Sequence, residues 1–150
     1  MKPDPLRSII LAALTYALGV FVVGCGLGVA RLNWLVPALG ANIAVLAELP
    51  VILTMSWFVA GKVIARFDVP HRAGARVAMG LLSLAMLILC EFALSTIGFG
   101  FSPAELARQT TSLPGLIGLA GQVCFALFPL CQIGNAGAKG PISILPGSRG

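Results

Sequence analysis

Apolar positions fall in four long runs along this chain, residues 9–29, 41–61, 77–98 and 113–135, and the stretches between them collect most of the charge. Each run is long enough to cross a hydrocarbon core of about 30 Å, which takes about 20 residues at the helical rise of about 1.5 Å. The strict apolar/polar alternation of barrel strands does not appear. The pattern therefore predicts an all-α fold: an integral membrane four-helix transmembrane bundle forming one domain over residues 1–135. Residues 136–150, rich in glycine and proline, are expected to form a flexible cytoplasmic tail.

Composition strengthens this reading. Only 10% of the residues are charged and the mean hydropathy is +0.99, too little charge to coat a water-soluble domain, where roughly a quarter is usual. With four spans, Lys2, Arg7, Lys62, Arg66, Arg72, Arg76, Lys139 and Arg149 lie on one side of the membrane and only Arg31 and Arg108 on the other. Lys and Arg in short loops stay in the cytoplasm, so both termini are expected inside, as in a multi-pass protein of a bacterial inner (plasma) membrane. The net charge of +5 then reads as attraction to anionic lipid on the cytoplasmic side, not to nucleic acid. Lys62, Arg66, Arg72 and Arg76 are the residues expected to touch lipid head groups. Trp34 and Trp57 sit where interfacial belts would place them.

The first run has the flanks of a targeting signal. Val22-Val23-Gly24-Cys25 resembles the cleavage box of bacterial lipoproteins, but the residues after Cys25 stay apolar instead of turning polar. It is read as a spanning helix. In the link after the third span, Ser102, Pro103 and Glu105 have the spacing of a capping box and predict a short surface helix.

Two acids stand inside the runs. Charged side chains at that depth cost about 2.5–3.5 kcal/mol on insertion scales, so each is a functional hypothesis by default. Glu48 lies seven residues into the second run and Glu91 seven residues before the end of the third, which places both about 10 Å below the outer boundary. Facing one another across a helical hairpin, they would form an acid pair that shares a proton. Pro50 frees the carbonyl of Leu46 and predicts a kink within a turn of Glu48. Gln122 in the fourth run reaches nearly the same depth, while Arg31, Asn42 and Ser95 border the same region. Together these residues outline an intramembrane polar cluster, with an Arg31–Glu48 ion pair as the structural reading. Gly24, Gly28, Gly80, Gly118 and Gly121 are expected to be helix-packing positions.

Other chemistry is thinly represented. Cys25, Cys90, Cys124 and Cys131 form no C-x-x-C pair, and the single histidine, His71, lies outside the spans, so no metal or cofactor is expected. No nucleophile, base and orienting partner converge, which argues against catalysis.

The succession Ala30-Arg31, Pro37, Glu48-Leu49-Pro50, Ser56-Trp57, Ala75-Arg76, Met79-Gly80, Glu91 and Gly118 to Gln122 resembles small four-helix inner-membrane proteins of proteobacteria, a family without an agreed activity. The resemblance spans most of the chain and implies the fold and a bacterial inner membrane, but no chemistry. Small multidrug transporters carry their essential acid in the first helix, where this chain has none. Two functional expectations follow. The first is a non-catalytic accessory or assembly component of a larger membrane complex, with a membrane-protein partner or as a homo-oligomer. The second is an oligomeric proton-coupled carrier of a small solute or cation that uses Glu48 and Glu91.

Overall fold

The computed structural model describes residues 4–133. Lys2, Lys139, Arg149 and the expected tail at 136–150 lie outside the described residues. Within them the chain is helical, and four helices are long and apolar enough to cross a membrane: α1 Pro5–Leu39, α2 Ala41–Arg66, α3 Ala73–Gly98 and, after the short α4 Pro103–Thr111, α5 Leu113–Cys131. Helices suit this solvent because they satisfy every backbone group within the segment, where lipid offers no hydrogen bonds.

The helices outrun the apolar runs. Asp4 caps α1 by accepting from the Leu6 amide at 3.1 Å, with Pro5 at the first position, where a missing N–H is harmless. The expected link after residue 29 is helical instead: α1 continues to Leu39 and stops only at Gly40, whose φ of 79° suits glycine. A helix end requires a breaker, and leaving the hydrocarbon does not supply one. Inside this extension, Arg31–Leu35 forms a wide π turn in which the Val36 amide reaches back to the Arg31 carbonyl. Pro37, just beyond, offers no amide and its ring crowds the carbonyl four residues back, and a wider turn relieves both. A second π turn, Leu94–Gly98, closes α3 at the same end of the bundle, and Gly100 at φ 71° ends it. Beyond, Ser102 and Glu105 form the predicted capping box at the start of α4.

The packing order is not the chain order. α1 packs against α2 and α3, and α5 packs against the same two, so consecutive helices α2 and α3 occupy opposite corners of the bundle. Across the middle, Tyr16 of α1 stacks on Phe125 of α5 with ring centroids 4.3 Å apart, and its hydroxyl donates to the Phe125 carbonyl at 3.0 Å. That carbonyl is free because Pro129, four residues on, has no amide to offer it. Around this centre lie Ala12, Ala13, Val20, Ala60, Met79 and Leu87, and the Ser83 hydroxyl ties α3 to α1 through the Ala13 carbonyl at 3.2 Å.

The five expected packing glycines divide. A Cβ on Gly80 would collide with the Ala126 carbonyl oxygen, so only glycine allows α3 and α5 to approach this closely. Gly121 lies against the Leu49 side chain on α2, and Gly24 has only ordinary contact with Ile52. Nothing packs on Gly28 or Gly118. Both are half-buried, and among the described residues neither marks a close approach between two helices.

Candidate functional site

Four helices carry polar groups to the end of the bundle where the two π turns lie. Arg31 opens the π turn of α1, and its Nη1 stands 3.3 Å from Oε2 of Glu48 on α2. The Glu48 side chain is 13% exposed and that of Arg31 is 32% exposed, so the acid is enclosed and the guanidinium closes over it. Oε2 itself is fully covered and accepts no hydrogen bond, so the contact is an ion pair without hydrogen-bond alignment. Diagonally opposite, Gln122 on α5 donates its Nε2 to Oε2 of Glu91 on α3 at 2.6 Å.

The expected acid pair is corrected by this geometry. Among the described residues no hydrogen bond joins Glu48 to Glu91. Each acid instead binds a different helix, because α2 and α3 sit at opposite corners. Equal height in the membrane does not determine which helices are neighbours.

The two acids also differ in surroundings. Glu48 is held in a closed corner, whereas Glu91 is exposed on the flank of α3, as are Phe92 and Ile88 beside it. Of the remaining cluster residues, Asn42 is exposed at the start of α2, and Ser95 is half-buried in the second π turn, where its carbonyl accepts from the Phe101 amide at 3.0 Å. Pro50 sits on an exposed face of α2, and the helix runs unbroken through it from Ala41 to Arg66.

At the other end, Lys62, Arg66 and Arg72 are exposed, as head-group contact requires. Arg76 is not: it is fully buried. It occupies the covered face of α3 together with Met79, Gly80, Ser83 and Leu87. The stripe of small and apolar residues that contains Gly80 and Leu87 extends one turn toward the helix start, and following it that far would have placed Arg76 inside. Gln132 was also missed, and it donates to the Trp57 carbonyl at 2.8 Å just after α5 ends.

Among the described residues no three His, Cys, Asp or Glu side chains gather into a metal-binding group, and the four cysteines are free thiols. Comparison with protein-family models, with curated proteins and with solved structures finds no match.

Proposed function

We propose that the protein is a non-catalytic accessory or assembly component of a larger complex in a bacterial inner membrane, with its basic end in the cytoplasm. The observation that carries this reading is the exposure of Glu91 within a membrane-spanning helix. Ionisable side chains at such depth face a protein interior or a watery cavity, because facing acyl chains is expensive. Among the described residues Glu91 has one side-chain partner, the neutral Gln122. A second protein surface laid over the α3–α5 flank completes the enclosure that Arg31 already gives Glu48. Gly118, one turn from Gln122, has open space around it and admits a close-packed helix on that flank.

The orientation rests on charge. Arg7, Lys62, Arg66, Arg72 and Arg76 gather at one end of the described bundle and Arg31 and Arg108 at the other, which is the bias that holds loops in the cytoplasm.

The test is solubilisation from native membranes in mild detergent. This reading expects wild type to migrate with a partner in fixed ratio and Glu91→Leu to separate from it while remaining folded. Wild type that leaves the membrane as a free monomer contradicts the reading. The exposed acid also suits the second reading, an oligomeric proton-coupled carrier in which Glu91 lines a pathway between copies. In liposomes that reading expects gradient-driven proton flux that Glu91→Gln abolishes.

A further inference from the structure

Arg76 is buried at the basic end of the bundle without the partner that burial demands. Of its donors, Nη2 reaches only Nδ1 of His71, at 3.4 Å, while Nε and Nη1 are covered and have no acceptor. Enclosing a cation with unmet donors is costly, and removing the counter-charge from such a group is among the most destabilising changes known. Asp68 is the nearby acid of the connecting turn, yet the one ion pair among the described residues is Arg31–Glu48.

Arg76 lines a cavity of about 560 Å³ together with Trp57, Lys62, Asp68, His71 and Gln132. A space of this size holds a small ligand or a lipid head group. The α3 helix begins at Ala73 with no side-chain cap, so the positive end of its dipole lies within a turn of Arg76. Lys62 stands exposed on α2 and is free to close over an anion.

We propose that this cavity binds a phosphate group, with Arg76 as its buried anchor, Lys62 as its outer cation and His71 holding the guanidinium in place. Phosphate fits better than a carboxylate because unmet donors on separate nitrogens, with an ammonium besides, ask for more than two acceptor oxygens. A lipid phosphodiester and free phosphate share this chemistry. A second hollow of about 340 Å³ shares Trp57 and Phe58 with the first and is lined by Leu53, Thr54 and Phe128. Its mostly apolar lining suits an acyl chain, and basic pockets between spanning helices are a known way of holding acidic head groups. The inference does not depend on the accessory reading.

The experiment uses the full chain in an uncharged detergent, with thermal stability and native mass spectrometry as readouts. Phosphatidylglycerol, diacylglycerol, which has the acyl chains but no phosphate, and inorganic phosphate are compared at about 0.5 M salt, where attraction to surface charge is screened. Wild type is expected to retain phosphatidylglycerol about tenfold better than diacylglycerol, and Arg76→Met to lose that preference. Asp68→Asn removes the competing carboxylate and should tighten retention; at φ 49° asparagine is well tolerated, so this variant keeps its fold even if Arg76→Met does not. Displacement of the lipid by millimolar inorganic phosphate assigns the site to a soluble ion, and failure to displace it assigns the site to the lipid. The proposal is overturned if wild type neither distinguishes the two lipids nor responds to phosphate. It is overturned equally if Asp68→Asn lowers stability without changing retention, the result expected if Asp68 is the internal counter-ion of Arg76.

Discussion

The α1–α2 corner and the α3–α5 corner pose the same problem and answer it differently. Each carries one glutamate at a similar depth, and each glutamate meets one side chain from the helix beside it. At the first corner the partner is a cation and the acid is enclosed. At the second the partner is a neutral amide and the acid stays exposed. A carboxyl within a span is therefore not one kind of feature. What it signifies depends on whether the chain itself neutralises and covers it, and only the α1–α2 corner is complete in that sense.

The largest effect should come from removing the cation of the complete corner. Arg31→Ala takes from Glu48 both its counter-charge and part of its cover. The cost for a buried pair, reduced because Arg31 is a third exposed, comes to about 2–3 kcal/mol. Unfolding in mixed micelles measures it, and adding Glu48→Gln to Arg31→Ala should recover part of the loss. If the double variant is as unstable as the sum of both single variants, the ion pair is not what holds this corner.

The second corner should yield first to backbone separation. Gly80→Ala places a methyl group against the Ala126 carbonyl and forces α3 from α5, at about 2 kcal/mol by analogy with overpacked cores. Disulfide trapping between engineered cysteines on α3 and α5 should slow, while trapping between α1 and α2 should not. Unchanged trapping on both sides would show that the close approach is not needed.

Smaller again is Gln122→Ala. Interhelical hydrogen bonds in membranes are worth about 0.6 kcal/mol on average, so stability should fall by less than 1 kcal/mol. The loss should be a fraction of that from Arg31→Ala, because a neutral amide leaves no stranded charge. A loss equal to that of Arg31→Ala would erase the distinction between the corners.

The smallest effect lies outside the membrane, on the link between α3 and α5. Hydrogen bonds from the Ser102 hydroxyl, at 2.7 Å, and the Ser102 amide, at 2.8 Å, hold the Glu105 carboxyl below the usual carboxylate range. A depressed value in the folded state means that this contribution is complete above the ordinary value near about 4.3 and disappears as pH falls through the lower, folded one. Protection of the Glu105 and Leu106 amides, taken as exchange relative to the intrinsic rate at each pH, should therefore fall only in strong acid, and should not change with pH over the same range in Glu105→Gln.

Much of the fold was legible because its causes are local. Length and hydropathy determine that a segment can span, and the Ser102–Glu105 spacing determines where α4 starts. Helix ends were misjudged where the argument relied on the edge of the apolar run, since α1 runs past residue 29 until Gly40 stops it. The candidate site was legible in its members and partly in its pairing: Arg31 does meet Glu48. The acid pair was not, because which helices are neighbours depends on how Tyr16, Phe125, Gly80 and Ala126 pack, and none of those contacts leaves a mark on hydropathy. Arg76 escaped for a related reason. A basic residue near a span boundary looks like a head-group contact until its place on the buried stripe of α3 is followed.

The most direct test compares the two corners in native membranes. A photo-crosslinking residue is placed at Ile88, exposed on α3 one turn from Glu91, and in a separate protein at Val51, exposed on α2 one turn from Glu48. The account predicts a discrete protein adduct from position 88 that is lost with Glu91→Leu, and lipid adducts alone from position 51. Lipid adducts alone from both positions would contradict it, for the exposed acid would then face the bilayer with nothing laid over it.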